Sequence, residues 1–219
     1  MHHVVQPKIF YFGTPVVLIS TRNTDGTANL APMSSAWWLG QSCMLGMSQR
    51  SQTMHNLLRE RECVLNLPSS HQVDAVDRLA LVTGRNPVPA YKAAQGYRYA
   101  PDKFAMAGVT PMPSHIVQPP RVAECPVQLE AILKASHHFE ELEDHLMAVE
   151  VHIVRSHIEA SLLVPGTTEH INPDAWQPLI MNFTEFYGLS ERVHTSRLAK
   201  IFRPAVPTTA AEIVPPSRT

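Results

Sequence analysis

The chain has 219 residues, 44% of them hydrophobic, which is enough for one sizeable core and sets the expectation of one domain. Lys and Arg number 18 against 19 Asp and Glu, a formal net charge of −1 with no basic stripe, so nucleic acid is not an expected partner. No apolar run reaches the ~18 residues of a membrane span, and MHHVVQPKIF lacks the basic-then-apolar order of a signal peptide.

Taken in order, Pro15 to Thr21 is short, β-branched and opened by proline, and reads as a buried strand. Asp25-Gly26 is the pair of a tight hairpin, and Thr27 to Met33 is the returning strand. Trp37 to Gly40 is a loop or strand end, and Cys43 to Met47 a third strand. Ser51 to Arg61 reads as a short helix with Met54, Leu57, Leu58 and Arg61 on one face. Glu62 to Leu67 is a fourth strand that stops at Pro68, and Gln72 to Leu81 a second helix.

Tyr91 to Pro120 shows little periodicity and much Pro, Gly and Tyr. It reads as an extended excursion covering a site or a partner subunit. Arg121 to Lys134 alternates apart from a shift near Pro126, which predicts a strand with a bulge or kink. His145 to His157 alternates cleanly, placing Met147, Val149, Val151 and Ile153 on one face. Pro178 to Tyr187 is expected as a short helix. From Pro204 the chain is rich in Pro, Ala and Thr and reads as a mobile tail over 204–219. Six strands, two short helices and a dominant hairpin pattern argue for a mainly β, antiparallel barrel with helices at its openings.

The densest chemistry lies between Asn29 and Asn56. Ser48, Arg50, Ser51 and Thr53 crowd the point where a strand becomes a helix. Backbone N–H groups at a helix start are unpaired and favour an anion. Arg50 adds a fork of donors suited to phosphate. Upstream, Asn29, Ser34 and Ser35 can bond a flat, polar-edged ring, and Trp37 can cover its face. Together they read as a cradle for a phosphorylated aromatic cofactor. Residue by residue, the competing reading is an ordinary cap at Ser51 and a solvated Arg50.

PVVLIST, DGTANLAPMSSAWW, SQRSQTMHN, ECVLNLP, DKFAMAG, EDH…VEV and LIMNFTEFYGL…SRLA follow one another from Pro15 to Ala199. In these motifs the chain resembles the flavin reductase-like family of FMN-binding split β-barrels, which includes the flavoredoxins. The resemblance implies a six-stranded antiparallel split barrel of Greek-key type over residues 1–203. It also implies non-covalent FMN, a homodimer, and flavin sites near the subunit interface. By matched position, Asn29, Ser34, Ser35 and Trp37 would line the isoalloxazine and ribityl region. Ser48, Arg50 and Thr53 would hold the phosphate, with Asn56 flanking that turn. Lys103, in DKF, would approach the flavin or its phosphate. His145 would sit against the ring and Phe183 would close over it. The family usually shows Gly-Asp-His where this chain has Glu143-Asp144-His145.

Other chemistries fit less well. His137, Glu141 and His145 have helical spacing, but the alternation after His145 starts a strand there, so no metal site is expected. The three cysteines, Cys43, Cys63 and Cys125, are odd in number and far apart. They read as free thiols in a reducing compartment, the cytoplasm. Trp37 and Trp38 would point oppositely in a strand, so at most one can face a ligand. Three functional classes follow: an NAD(P)H-dependent flavin reductase-type oxidoreductase, an electron-transfer flavoprotein reduced by a partner protein, and a non-catalytic flavin-binding protein. No Gly-rich dinucleotide fingerprint follows a strand, so a nicotinamide would have to stack transiently on the flavin. Hydride transfer demands no acid–base pair, so no catalytic residue is named.

Overall fold

A computed structural model describes residues 1–139 and 145–202. The first strands are β1 (Phe12–Pro15), β2 (Val17–Arg22), β3 (Ala28–Met33), β4 (Ala36–Leu39) and β5 (Ser42–Ser48). Helix α1 (Gln52–Glu60) and strand β6 (Glu62–Leu67) follow, then α2 (Val73–Asp77) and β7 (Val82–Thr83). The next stretch holds α3 (Ala90–Ala93), β8 (Arg98–Tyr99), α4 (Lys103–Ala107), β9 (Pro111–Met112) and β10 (Arg121–Val122). The long strands β11 (Val127–His138) and β12 (Leu146–Ile158) precede β13 (Ile180–Asn182), β14 (Glu185–Tyr187) and α5 (Ala199–Phe202).

Seven strands form one antiparallel sheet in the order β3-β2-β6-β11-β12-β5-β4. The six strands expected from the sequence are all in it, and Trp37 and its neighbours add β4 as an edge strand. Neighbours distant in sequence, β2 beside β6 and β5 beside β12, make connections of Greek-key type. β1 runs on into β2 and touches β4, so the chain itself brings the two sheet edges together without a continuous ladder. The result is a mainly β split barrel.

Alternation explains the core. Val17 and Ile19 of β2 join the interior with Leu45, Leu65, Leu129, Val149 and Val151. Val16 and Leu18 point the other way, into a second apolar cluster with Leu30, Val76, Leu79, Phe104, Ala107 and Val122. Met147, Val149, Val151 and Ile153 are buried as the pattern of β12 requires.

Helix α1 starts where expected. Ser51 Oγ accepts from Met54 N–H at 3.0 Å, and Arg61, at φ 63°, closes its C-terminus. Its buried face is Thr53, Met54, Asn56 and Leu57, whereas Leu58 is 43% exposed and Arg61 also lies outside. The helix turns more polar groups inward than hydrophobicity alone predicts.

Four further expectations need correction. Pro178 to Tyr187 is no helix but the hairpin β13–β14, with positive φ at Phe183 (47°) and Thr184 (72°). Two consecutive positive φ values suit a two-residue hairpin turn, and the i, i+3 pair of phenylalanines mimicked a helix face. The excursion from Tyr91 to Pro120 is less irregular than expected: it carries two short helices, Phe104 and Ala107 pack on the second cluster, and its Tyr99 and Lys103 line a cleft. Arg121 to Lys134 is not one strand: the chain breaks ahead of Pro126 into β10, which pairs with β9, and β11, which has irregularities of its own at Glu130/Ala131 and Leu133/Ala135. The predicted Gln72–Leu81 helix is helical only to Asp77 and continues in turns. Glu141, Glu143, Asp144 and the 204–219 tail lie outside the described residues.

Candidate flavin-binding cleft

A buried polar network joins β2, β3 and α1. Asn29 Nδ2 donates to Thr21 Oγ1 and Thr53 Oγ1, each at 3.2 Å. Asn56 Nδ2 donates to Thr21 Oγ1 at 3.1 Å and to Asn23 Oδ1 at 2.8 Å. Gln52 Nε2 donates to Asn56 Oδ1 at 2.8 Å. Asn29, Thr53 and Asn56 are 2%, 3% and 0% exposed, so Thr53 and Asn56 act on a ligand mainly by holding Asn29. The side-chain carbonyl oxygen of Asn29 is buried and has no hydrogen-bond partner among the described residues. An unpaired buried acceptor costs about 1–3 kcal/mol, so such an atom points to a missing donor.

Asn29 lines a cleft of about 290 Å³ together with Asp25, Gln52, Gly84, Tyr99 and Lys103. Gly84 leaves room for that carbonyl, since a Cβ there would come within 2.6 Å of Asn29 Oδ1. Lys103 opens α4 after Asp102, whose carboxylate caps the helix by accepting from Ala105 N–H at 2.9 Å. Its side chain is 4% exposed and makes no hydrogen bond or ion pair among the described residues. Burial, with Lys92 nearby, pushes the Lys103 ammonium down to about 8. Across α1, burial together with Arg85 and Arg59 lowers His55, and Arg85 Nη1 lies 3.0 Å from its Nδ1.

The other expected residues fall into two neighbouring groups. Arg50 N–H donates to Ser48 Oγ at 3.2 Å, and Gln49 N–H donates to the carbonyl of His145 at 2.7 Å. Ser48 is half-buried, Arg50 is exposed, and β5–β12 pairing sets Ser48 opposite Leu146, so Ser48, Arg50 and His145 share one corner. Ser35 Oγ lies 3.1 Å from Tyr11 Oη, and Tyr11 C=O accepts from Phe183 N–H at 2.8 Å, which ties the β3–β4 turn to the late hairpin. Ser34 is half-buried in the same turn. Gly46 approaches Ser35 so closely that a Cβ would meet its Cβ at 2.9 Å. Phe183 packs edge-on against Phe12, centroids 4.7 Å apart. Trp38 packs on the interior while Trp37, on the opposite face of β4, is 56% exposed. Asn29 and Lys103 are thus brought to one cleft, with Thr53 and Asn56 buried behind Asn29, Ser48, Arg50 and His145 to a corner, and Ser34, Ser35 and Phe183 to a third group.

Sequence reasoning missed Gln52 and Gly84. Gln52 sits beside the cap residue and was masked by it. Gly84 stands in Gly84-Arg-Asn-Pro, which reads only as a break.

An empty-handed buried acceptor, an unpartnered buried ammonium and a glycine-cleared cleft fit a ligand that carries both a donor edge and an anion. Comparison with known proteins agrees in kind. The family described as flavin reductase like domain matches residues 9–189. "Uncharacterized protein YdfE" of Bacillus subtilis (strain 168) is 39% identical over 189 residues, 86% of this chain and 90% of that protein. Among solved structures, flavoredoxin of Desulfovibrio vulgaris (Miyazaki F) aligns with a TM-score of 0.73 at 20% identity, over 91% of this chain and 100% of that one. Nitrilotriacetate monooxygenase component B from Bacillus cereus aligns with a TM-score of 0.68 at 18% identity, over 84% and 88% of the two chains. At these identities the two structures speak for the fold.

Proposed function

The chain belongs to the flavin reductase-like domain family, and from that premise we propose that it binds FMN non-covalently and uses it as an NAD(P)H-dependent oxidoreductase. The observation that carries the reading is the pairing, in one cleft, of the unpartnered Lys103 ammonium with the unpaired Asn29 carbonyl. An anion answers the first and a ring N–H the second. Lys103, Arg50 and Ser48 would hold the phosphate. Asn29, Ser34 and Ser35 would bond the ring edge and ribityl chain, with Trp37, His145 and Phe183 beside the ring. Bound FMN would supply two-electron redox chemistry, and the protein would supply position, charge and access. Phe183 sits on a strained positive φ, a kind of site where backbone strain is often retained for function.

The test is to mix FMN-loaded protein anaerobically with NADH or NADPH and follow flavin bleaching. Bleaching within catalytic times is expected, with colour restored by an added acceptor. If dithionite bleaches the flavin while both nicotinamides fail across pH 6–8, the reductase reading falls and the electron-carrier reading replaces it.

We also expect a homodimer. The Tyr91–Pro120 excursion packs on its own chain through Phe104 and Ala107 but leaves Tyr91, Tyr99, Met112 and Ile116 exposed. Exposed apolar side chains elsewhere add a second ground: the touching strands β1 and β4 leave Phe12, Trp37 and Leu39 67%, 56% and 75% exposed. Light scattering of the FMN-bound protein should give twice the chain mass of 24.4 kDa, and a value near 24.4 kDa at micromolar concentration would end this expectation. No helix among the described residues is long and apolar enough to cross a membrane. The three cysteines are buried and unbridged, and burial pushes the Cys43 thiol up to about 12 and the other two higher still. Inert buried thiols agree with the cytoplasm as the place of action.

A further inference from the structure

Glu130 is fully buried on the outer face of β11, opposite Leu129 and Ala131, which face the interior. Its carboxylate is wrapped by the segment ahead of β10. Oε1 accepts from His115 N–H at 2.9 Å, and Oε2 accepts from Ile116 and Val117 N–H at 2.6 and 3.0 Å. On the other side, His157 Nε2 of β12 lies 2.6 Å from Oε1. His115 completes the group. Its ring stands edge-on to that of His157, centroids 4.7 Å apart and planes at 86°. One ligand atom from each of the three residues lies within 4.8 Å of the other two.

We propose that His115, Glu130 and His157 form a site for a borderline divalent cation, zinc above all, that staples the segment around His115 to the β11–β12 hairpin. Two imidazoles and one carboxylate are a donor set for zinc, which leaves a fourth position to water. Three different chain segments converge, and each ligand is pre-placed by the fold. The backbone N–H groups of Ile116 and Val117 fix the far carboxylate oxygen, as outer partners orient metal-binding carboxylates. His115 is exposed, so an ion can enter from solvent. A plain Glu130–His157 ion pair explains neither the second imidazole nor its edge-on approach. Binding requires His157 Nε2 to give its proton to solvent and the 2.6 Å contact to open, because two ligands of one zinc ion stand further apart. The site shares no lining residue with the Lys103 cleft and does not depend on the flavin reading.

The experiment uses full-length protein freed of metal by a chelator and then dialysed. Calorimetric titration with zinc should show one saturable site at micromolar or tighter affinity, with a rise in Tm. Cobalt(II) should give the visible bands of a four-coordinate ion, and magnesium should give no response. His115→Ala and His157→Ala should each weaken zinc binding by at least the roughly 10–100-fold that loss of a mere outer partner costs, while a variant with His2 and His3 both changed to Ala should bind as before. Both histidines reach the surface, so the variants should fold, which circular dichroism checks. Absence of saturable zinc binding, or binding unchanged in either single variant, overturns the proposal and leaves an ion pair only.

Discussion

Lys103→Met should stabilise the apoprotein and weaken its hold on FMN in a single step. The Lys103 side chain is 4% exposed, has no partner among the described residues, and titrates near 8 against an ordinary 10.5. The folded state therefore holds a charge it would shed more readily than the unfolded chain does. The difference corresponds to a penalty of about 3 kcal/mol. The sign follows from the lowered value. Below about pH 8 the folded protein carries the full penalty, so the methionine variant gains most there. Between about 8 and 10.5 folded Lys103 is neutral while unfolded Lys103 is still charged, and the two proteins converge. Urea unfolding at pH 7 and at pH 10 should show the gain and its loss. FMN affinity should fall roughly 10–100-fold, because the proposed charge-assisted contact to phosphate would be lost, while riboflavin affinity should barely change. A variant less stable than the parent at pH 7, or one that loses both ligands equally, would refute this account of Lys103.

The second large effect is expected at Glu130. Glu130→Ala removes one carboxylate but leaves three backbone N–H donors and His157 without their acceptor. The cost should be at least about 1–3 kcal/mol, that of leaving backbone donors without an acceptor. His157→Ala leaves the carboxylate and its backbone donors in place and should cost clearly less. Both are measured by urea unfolding with a chelator present, so that no bound ion enters the comparison. Amide exchange at His115, Ile116 and Val117 should accelerate in Glu130→Ala before the barrel itself opens. A loss below about 1 kcal/mol would mean the segment is held elsewhere, for instance through Glu62, whose Oε2 accepts from Gln118 N–H at 2.9 Å.

Much of this architecture can be read from the chain because it obeys one local rule at a time. Period-two alternation located β12, a short β-branched run opened by proline located β2, a run stopped by Pro68 located β6, and an Asp-Gly pair located the first hairpin. Ser51 located the start of α1, where propensity, cap and burial all agree. The misreadings share a different cause. Phe183 and Phe186 are three apart, which suits a helix face and a hairpin equally, and only tertiary pairing with β1 decides between them. Tyr91–Pro120 is irregular because it is shaped by the surface it covers. Asp102 capping α4 is local, but the burial of Lys103 comes from packing that no spacing reveals. For the same reason Gly84 could not be recognised. Its role is to be absent beside Asn29, and that follows only from a distance of 2.6 Å between residues far apart in sequence. Glu130 sat unremarked in an alternating run, where an outward carboxylate is ordinary until something is laid over it.

The placement of β2 has a consequence for cooperativity. Its consecutive residues serve opposite apolar clusters, with Val17 and Ile19 on one side and Val16 and Leu18 on the other. Neither layer can melt and leave the other standing, because each would take with it the strand that the other packs on. The barrel and its outer covering are thereby joined into one melting unit, and a void made at Leu18 is felt at Ile19 through the shared backbone. The buried polar network around Asn29 and Asn56 hangs from the same strand through Thr21. Loosening of the outer layer therefore reaches the cleft as a change in local opening free energy, without any residue of the cleft being touched.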